Sequence, residues 1–492
     1  MTDQTATSAT AFVNSLGINT HLDFNAFGYD NIAATEQAIS YLGVSNLRDS
    51  AQSPEDISLW QQISQATGAR FDDYIGETSP GGMQDDLSYV PQLGEAGVLN
   101  AVEGGNEEDD SFPASLGNNL SITAGFQWQL ADVAHSLGLP AINMSFGGGW
   151  TAGNNWQGDY GAVGDLSGAA DYANAHTYPI PGQMPDSTMQ RLNGLASLAA
   201  SSQPVITTEM GWDGNAGFSE TDVAKYVVDA ALDGWKDGDA KTYFYALFDD
   251  GSGAFGLMNA DGSPKPAGSA LHNLTMLLGD SGGDAGGSLD YSLDGAVPGD
   301  NSLLLAKSDG SYWLALWDES AGDHTVTLNL GSPAASVDVY DPLAGTDPVQ
   351  SDGATNTAQI DLSDHPMLVR IAPTPSAADT MSFIGAGGPM TIALPAPGAD
   401  VAQIDGSAMS NGDVFDLSAA LAQTGWDGDP ASVGDFLQVT SNGTDSTVAV
   451  DPSSSGAPGT PIATLHGAGS VDISTFLAHS TLGGGQTFAS GQ

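Results

Sequence analysis

Apolar positions between Val13 and Leu278 alternate between two rhythms. Short strand-like runs are GINTHLDF, VSNLRDS, ARFDDYIG, LNAVEGGNE, AINMSFGG, YANAHTYP, PVITTEMG and KTYFYALFD. Between them lie stretches such as NIAATEQAISYLG, SPEDISLWQQISQATG and SITAGFQWQLADVAHSLG, whose apolar residues recur three and four apart. Each of these three ends in glycine, the residue that tolerates the left-handed position closing a helix. Eight strand–helix alternations at roughly 33 residues each predict a (β/α)8 barrel, a fold of about 250 residues. An open doubly wound sheet is the alternative, but no GxGxxG phosphate turn follows any run, and the barrel is preferred.

The rhythm changes after Leu278. A Gly/Asp/Ser linker, GDSGGDAGGS, leads into closely spaced alternating runs: SLLLAKS, YWLALWDE, HTVTLNL, ASVDVYD, AQIDL and HPMLVRI. Turns of Gly, Asp and Pro between them predict an all-β sandwich. After a second linker, APTPSAAD, the segments VFDLSAALAQTGW, DFLQVTSNGTDSTVAVD and IATLHGAGSVDISTFLAH still alternate apolar and polar positions, unlike a disordered acidic tail. Three units are therefore expected: a barrel over 1–278, a sandwich over 288–373 and a further β-rich module over 381–492.

Charge narrows the partners. Nine Lys and Arg face 60 Asp and Glu, a net charge of −51, which repels nucleic acid and anionic membrane. The last cation is Arg370. With no cysteine, disulfides, thiolate metal sites and thiol catalysis are excluded. No apolar run reaches the ~18–20 residues of a membrane span. MTDQTATSATAFV carries neither a basic nor a greasy leader segment, so a cytoplasmic location is expected unless another export route exists. The chain is expected to be a monomer.

In a barrel, chemistry sits at the carboxyl ends of the strands. The fourth run ends in Asn106-Glu107 and the seventh in Glu209, two carboxyls that can face each other across the barrel mouth. A pair ~5–5.5 Å apart suits retaining glycoside hydrolysis, and ~6.5–9.5 Å suits inversion. Glu103, Glu108, Asp109 and Asp110 crowd the first carboxyl. Arg48 ends the second run, placed to keep a nucleophilic carboxylate ionised. His176 and Tyr178, two apart on the sixth run, point the same way. His21, Arg70, Asp72, Asn143 and Trp212 end or follow other runs, while Trp150, Trp156, Tyr160 and Tyr245 offer aromatic faces for a sugar. Trp60 and Trp128 sit at helical spacing and read as core.

GGNE at 104–107, TTEMGW at 207–212, LRDS at 47–50 and AHTYP at 175–179 resemble the (β/α)8 retaining glycosidases of clan A, as does FGLMNADGSPKPAGSALHNL before the last barrel helix. The resemblance covers residues 13–278. It implies Glu107 as acid/base, Glu209 as nucleophile, Asn106 as donor to the sugar 2-hydroxyl, Arg48 and Tyr178 as partners of the nucleophile, and His176 lining the site. Trp212, Trp150, Tyr245 and His21 are taken as substrate-binding, the substrate being a carbohydrate. No organic cofactor or catalytic metal is implied. The chain departs from the pattern in placing Glu108 where a proline usually follows the acid/base, and Phe/Tyr in YFYALFDD where a tryptophan is usual.

The final module resembles the C-terminal target module of type I secreted proteins of Gram-negative bacteria. That implies secretion by the type I apparatus through an uncleaved C-terminal signal. Its Asp-rich turns, such as WDGD, can ligate calcium, and a calcium-binding or adhesion module is the alternative. For the whole chain the alternative to a hydrolase is a non-catalytic carbohydrate-binding or matrix protein on a barrel scaffold.

Overall fold

The computed structural model describes residues 2–24, 26–76, 79–107, 120–147, 157–280, 282–319, 322–373 and 391–397. Beyond 400 it describes all but 407, 410–412, 423, 428, 430–431, 442, 453, 455–458, 483–485 and 488–492. Two compact units result, Met1–Thr374 and Pro375–Gln492.

After a first strand, β1 (Thr2–Ser8), come the eight predicted runs: β2 (Leu16–Asn19), β3 (Asn46–Asp49), β4 (Arg70–Ile75), β5 (Leu99–Gly105), β6 (Ala141–Ile142), β7 (Ala173–Thr177), β8 (Val205–Met210) and β9 (Lys241–Phe244). They form one sheet in the order β6-β5-β4-β3-β2-β9-β8-β7, every neighbouring pair parallel. The edges meet where the Asn143 N–H donates to the Tyr172 carbonyl at 3.0 Å, closing the barrel. Helices Ile32–Leu42 and Pro54–Thr67 end at Gly43 and Gly68 with φ of 70° and 77°, so the predicted glycine stops are left-handed caps.

Ile18, Leu47, Phe71 and Phe244 join the hydrophobic core, and Trp60 stacks on Phe71 with ring centres 4.1 Å apart. Trp128, read as core, is instead 51% exposed: its helix, Leu120–Ser136, turns that face to solvent. The barrel interior also holds a buried polar layer that includes Arg48, Glu103, Asn174 and Thr208.

The sandwich contains β10 (Gly287–Asp294), β11 (Asp300–Ala306), β12 (Tyr312–Asp318), β13 (His324–Ala334), β14 (Ser336–Tyr340), β15 (Pro348–Asp352), β16 (Thr355–Leu362) and β17 (Met367–Ala372), ordered β15-β14-β17-β12-β11-β1-β10-β13-β16. The segment Thr2–Ser8 falls inside the expected barrel span but belongs to this sheet. Thr2–Ala6 pair with β10 and Thr7–Ser8 with β11. TDQTATS has no apolar period, so its backbone pairing left no trace in the pattern.

Strand β12 is apolar on both faces for a reason. Leu314 and Leu316 enter the sandwich core, whereas Trp313, Ala315 and Trp317 join the barrel's cluster. There the Trp317 indole N–H donates to Asp233 Oδ1 at 2.9 Å, on helix Glu220–Asp237, and Lys225 of the same helix pairs with Asp364.

The second unit holds two four-stranded sheets around a core that includes Ile404, Phe415, Leu437, Val448, Leu465 and Phe476. Among the described residues no helix is long and apolar enough to cross a membrane.

Candidate active site

Glu209 lies within β8 with its carboxylate 7% exposed to solvent as a residue and fully engaged. Its Oε1 accepts from Arg48 Nη1 at 2.6 Å, and its Oε2 accepts from the Tyr178 hydroxyl. Glu107 follows β5 on a left-handed backbone (φ 47°), a conformation uncommon outside glycine and concentrated at functional sites. Its N–H donates to Ser145 Oγ at 3.0 Å. His176 Nδ1 stands 3.0 Å from Glu107 Oε1 and 3.4 Å from Glu209 Oε2. One carboxylate oxygen from each glutamate and a nitrogen of His176 all lie within 4.8 Å of one another.

Arg48 anchors the interior. All five of its N–H donors find acceptors: Nε on Glu103 Oε2 (2.6 Å), Nη2 on Glu103 Oε1 (2.7 Å) and Asn106 Oδ1 (2.8 Å), Nη1 on Asn19 Oδ1 (2.9 Å) and Glu209. The guanidinium also lies 4.3 Å from the centre of the Tyr74 ring. Glu103 is held in turn by Asn174 Nδ2 at 2.8 Å. Because the Asn106 carbonyl faces Arg48, its amide N–H groups are left to donate elsewhere. Arg48→Met is expected to cost about 3–5 kcal/mol of stability, since it strands two buried carboxylates, and denaturant unfolding would measure it.

The charges set one another. Burial pushes the Glu209 carboxyl up, but His176 and Arg48, with hydrogen bonds from Tyr178 and Arg48, outweigh it and hold the group below its ordinary value. Burial pulls His176 down, yet the charge of Glu209 and the contact with Glu107 leave it above its ordinary value. The pair is thus arranged to hold Glu209 ionised.

His21 and Tyr245 lie beside this centre. Tyr245 donates to Asp250 Oδ2 at 2.6 Å, so His21 Nε2, 3.0 Å from the same hydroxyl, is its donor. The His21 ring stacks on Phe24 at 4.5 Å. Phe24 and Phe27, 40% and 48% exposed, sit on the loop after β2.

Other expectations are corrected. Trp212 is 2% exposed and packs in the barrel core near Tyr226, so it offers no face to a ligand. Tyr160 is likewise core, against Phe146. Arg70, expected at a strand end, instead starts β4 and is exposed at the opposite end of the barrel from Glu107. Asn143 and Asp72 are buried, Asn143 donating to the Ala199 carbonyl and Asp72 lying against Glu103. Trp150, Trp156, Glu108, Asp109 and Asp110 lie outside the described residues.

Sequence reasoning missed Asn19, Asn174 and Asp250, and saw Glu103 only as a crowding acid. Its place four residues before Glu107 was the available signal. Gly147 was missed too: a Cβ there would lie 2.5 Å from Glu107 Cδ, so only glycine leaves that carboxyl its place. Glu107, His176 and Glu209 are close enough to share a metal ion, but the Arg48 guanidinium on Glu209 opposes a cation there.

No protein-family model matches the chain, and comparison with curated proteins finds no match. Solved structures do match. A family 39 glycoside hydrolase from the gut symbiont Bacteroides cellulosilyticus aligns over 73% of this chain and 82% of its own, with 16% identity and a TM-score of 0.52. The chain shares that fold. Two others are a family 39 β-xylosidase from Caulobacter crescentus (14% identity, 75% and 98% covered, TM-score 0.49) and the catalytic domain of the family 30 xylanase C from Talaromyces cellulolyticus (14%, 76% and 98%, TM-score 0.48). A (β/α)8 barrel with an attached β-sandwich is thus the architecture of this chain.

Proposed function

We propose that the chain is a secreted retaining β-glycoside hydrolase acting on an oligo- or polysaccharide. One observation carries the reading: carboxylate oxygens of Glu107 and Glu209 converge within 4.8 Å at the C-terminal rim, beside the separation of about 5–5.5 Å that retention uses. Glu107, half-buried and nearer solvent, protonates the departing glycosidic oxygen. Glu209 attacks the anomeric carbon from the other side and forms a glycosyl ester. Glu107, now a carboxylate, takes a proton from water as that water cleaves the ester.

The surrounding residues fit these roles. Arg48 and Tyr178 keep the attacking carboxylate ionised and oriented, which a binding-only barrel has no use for. Asn106 presents amide donors toward a sugar hydroxyl. His21, Tyr245 and the Phe24 ring form a wall beside the pair. The reaction needs no organic cofactor or catalytic metal. Export by the type I apparatus, with the signal in 381–492 retained, accounts for a folded module without cations after Arg370.

A screen of aryl β-glycosides and polysaccharides, with proton NMR of the first product, tests the reading. The expected first product has the β-configuration of its substrate. An α product, or no turnover of any glycan, would overturn it.

Gly147→Ala provides a second check. The added methyl pushes Glu107 aside, so kcat should fall about 10²-fold or more while the melting temperature stays near wild type.

A further inference from the structure

Where the sandwich meets the barrel, four carboxylates gather on elements that carry none of the active-centre residues. Asp186 comes from the first turn of helix Pro185–Ala199, and Asp229 and Asp233 from successive turns on one face of helix Glu220–Asp237. Glu319 follows the end of β12. Oxygens of Asp186, Asp233 and Glu319 all lie within 4.8 Å of one another. Two ligands of one calcium ion, each at about 2.4 Å, can be no farther apart than about 4.8 Å.

Buried carboxylate oxygens on three of the four point to a missing partner. Asp233 is fully buried: Oδ1 accepts from the Trp317 indole N–H, while Oδ2 finds no N–H donor and faces the Glu319 carboxyl. Asp229, also fully buried one turn earlier, has no partner on either oxygen, and Glu319 is the neighbouring charge that bears on it most. Glu319 Oε1 is likewise buried and unpartnered. Among the described residues no Lys, Arg or His forms an ion pair with any of the four. The other acidic clusters differ. Asp49 is satisfied by Thr20, Leu22 and Ser50, whereas Asp300, although its Oδ1 has no partner, has His324 Nε2 3.1 Å from its Oδ2 as a balancing group.

We propose that Asp186, Asp233 and Glu319, with Asp229 beneath them, form a calcium-type divalent cation site that fastens the sandwich to the barrel. An all-carboxylate donor set favours a hard cation over zinc or copper. Asp186 and Glu319 are half-buried, so the ion reaches the floor at Asp233 from solvent. The site stands whether or not the barrel hydrolyses glycans.

The test uses the full chain stripped with EDTA. Adding 5 mM calcium chloride, about tenfold or more above the Kd of a moderate site, should raise the melting transition of the barrel–sandwich unit by about 2–4 °C. Terbium(III) should bind in its place and emit on tryptophan excitation, since Trp317 donates to a ligand. Asp233→Asn combined with Glu319→Gln should lose both responses. Trp317→Phe should keep the calcium-induced rise but lose most of the sensitised emission. An equal calcium-induced rise in wild type and the double variant would overturn the proposal by placing the ion elsewhere. No rise in wild type, with the double variant more stable than stripped protein, would overturn it by showing that a shared proton neutralises the pair.

Discussion

Glu209→Gln should abolish turnover, lowering kcat by at least about 10⁴-fold, because the residue whose oxygen forms the covalent bond is removed while its shape is kept. The amide oxygen still accepts from Arg48, whose charge remains balanced by Glu103 through two hydrogen bonds. Oligosaccharide binding by calorimetry should therefore survive, and the fold should too. Acid sensitivity gives a second readout. The folded protein holds Glu209 below its ordinary value, so ionised Glu209 contributes stability that is present above the unfolded carboxylate pKa of about 4.3. That contribution is lost as pH falls through the lower folded value. Wild type and variant melting curves should accordingly converge on acidification below that range. Wild-type kcat/KM should also persist below the usual carboxylate range before its acid limb falls. Hydrolysis at the wild-type rate by Glu209→Gln would end the assignment.

The barrel was legible because its short strand runs, charged residues included, alternate with longer stretches of 3.6-residue apolar period, several of them closed by glycine. The sandwich was legible from alternation, although the double-sided apolarity of β12 only makes sense once its tryptophans are seen to serve the barrel. β1 was not legible, since it pairs through backbone groups and only Ala6 of TDQTATS enters the sandwich core, too little to make a period. Among candidate site residues, strand-end position located Glu107, Glu209, Arg48, His176 and Tyr178 together. It misplaced Arg70 because the run ARFDDYIG shows no polarity of its own to tell its first residue from its last. It also misread Trp212, whose ring turns into the core just beyond the strand. Partners such as Asn19 and Asn174 carry no local signal: each is an ordinary amide in an apolar run until the barrel closes and brings it to Glu103 or Arg48.

Glu107→Gln should divide the two steps by leaving group. With an aglycone that departs as a poor leaving group, protonation is required, so kcat/KM should fall about 10²–10⁴-fold. With an activated aryl group that leaves unassisted, Glu209 still forms the glycosyl ester at close to the normal rate. Water is then no longer activated, so a burst of aryl alcohol should precede a slow steady state. Azide needs no general base and should restore turnover, giving a glycosyl azide of the substrate's β-configuration. The variant also loses the carboxylate beside His176, one of the two groups that raise its pKa, so the histidine should titrate lower by NMR. Glu108→Gln is the control, expected to keep both steps. Equal losses for good and poor leaving groups, without a burst or azide rescue, would make Glu107 a structural neighbour of His176 and move the acid/base role elsewhere.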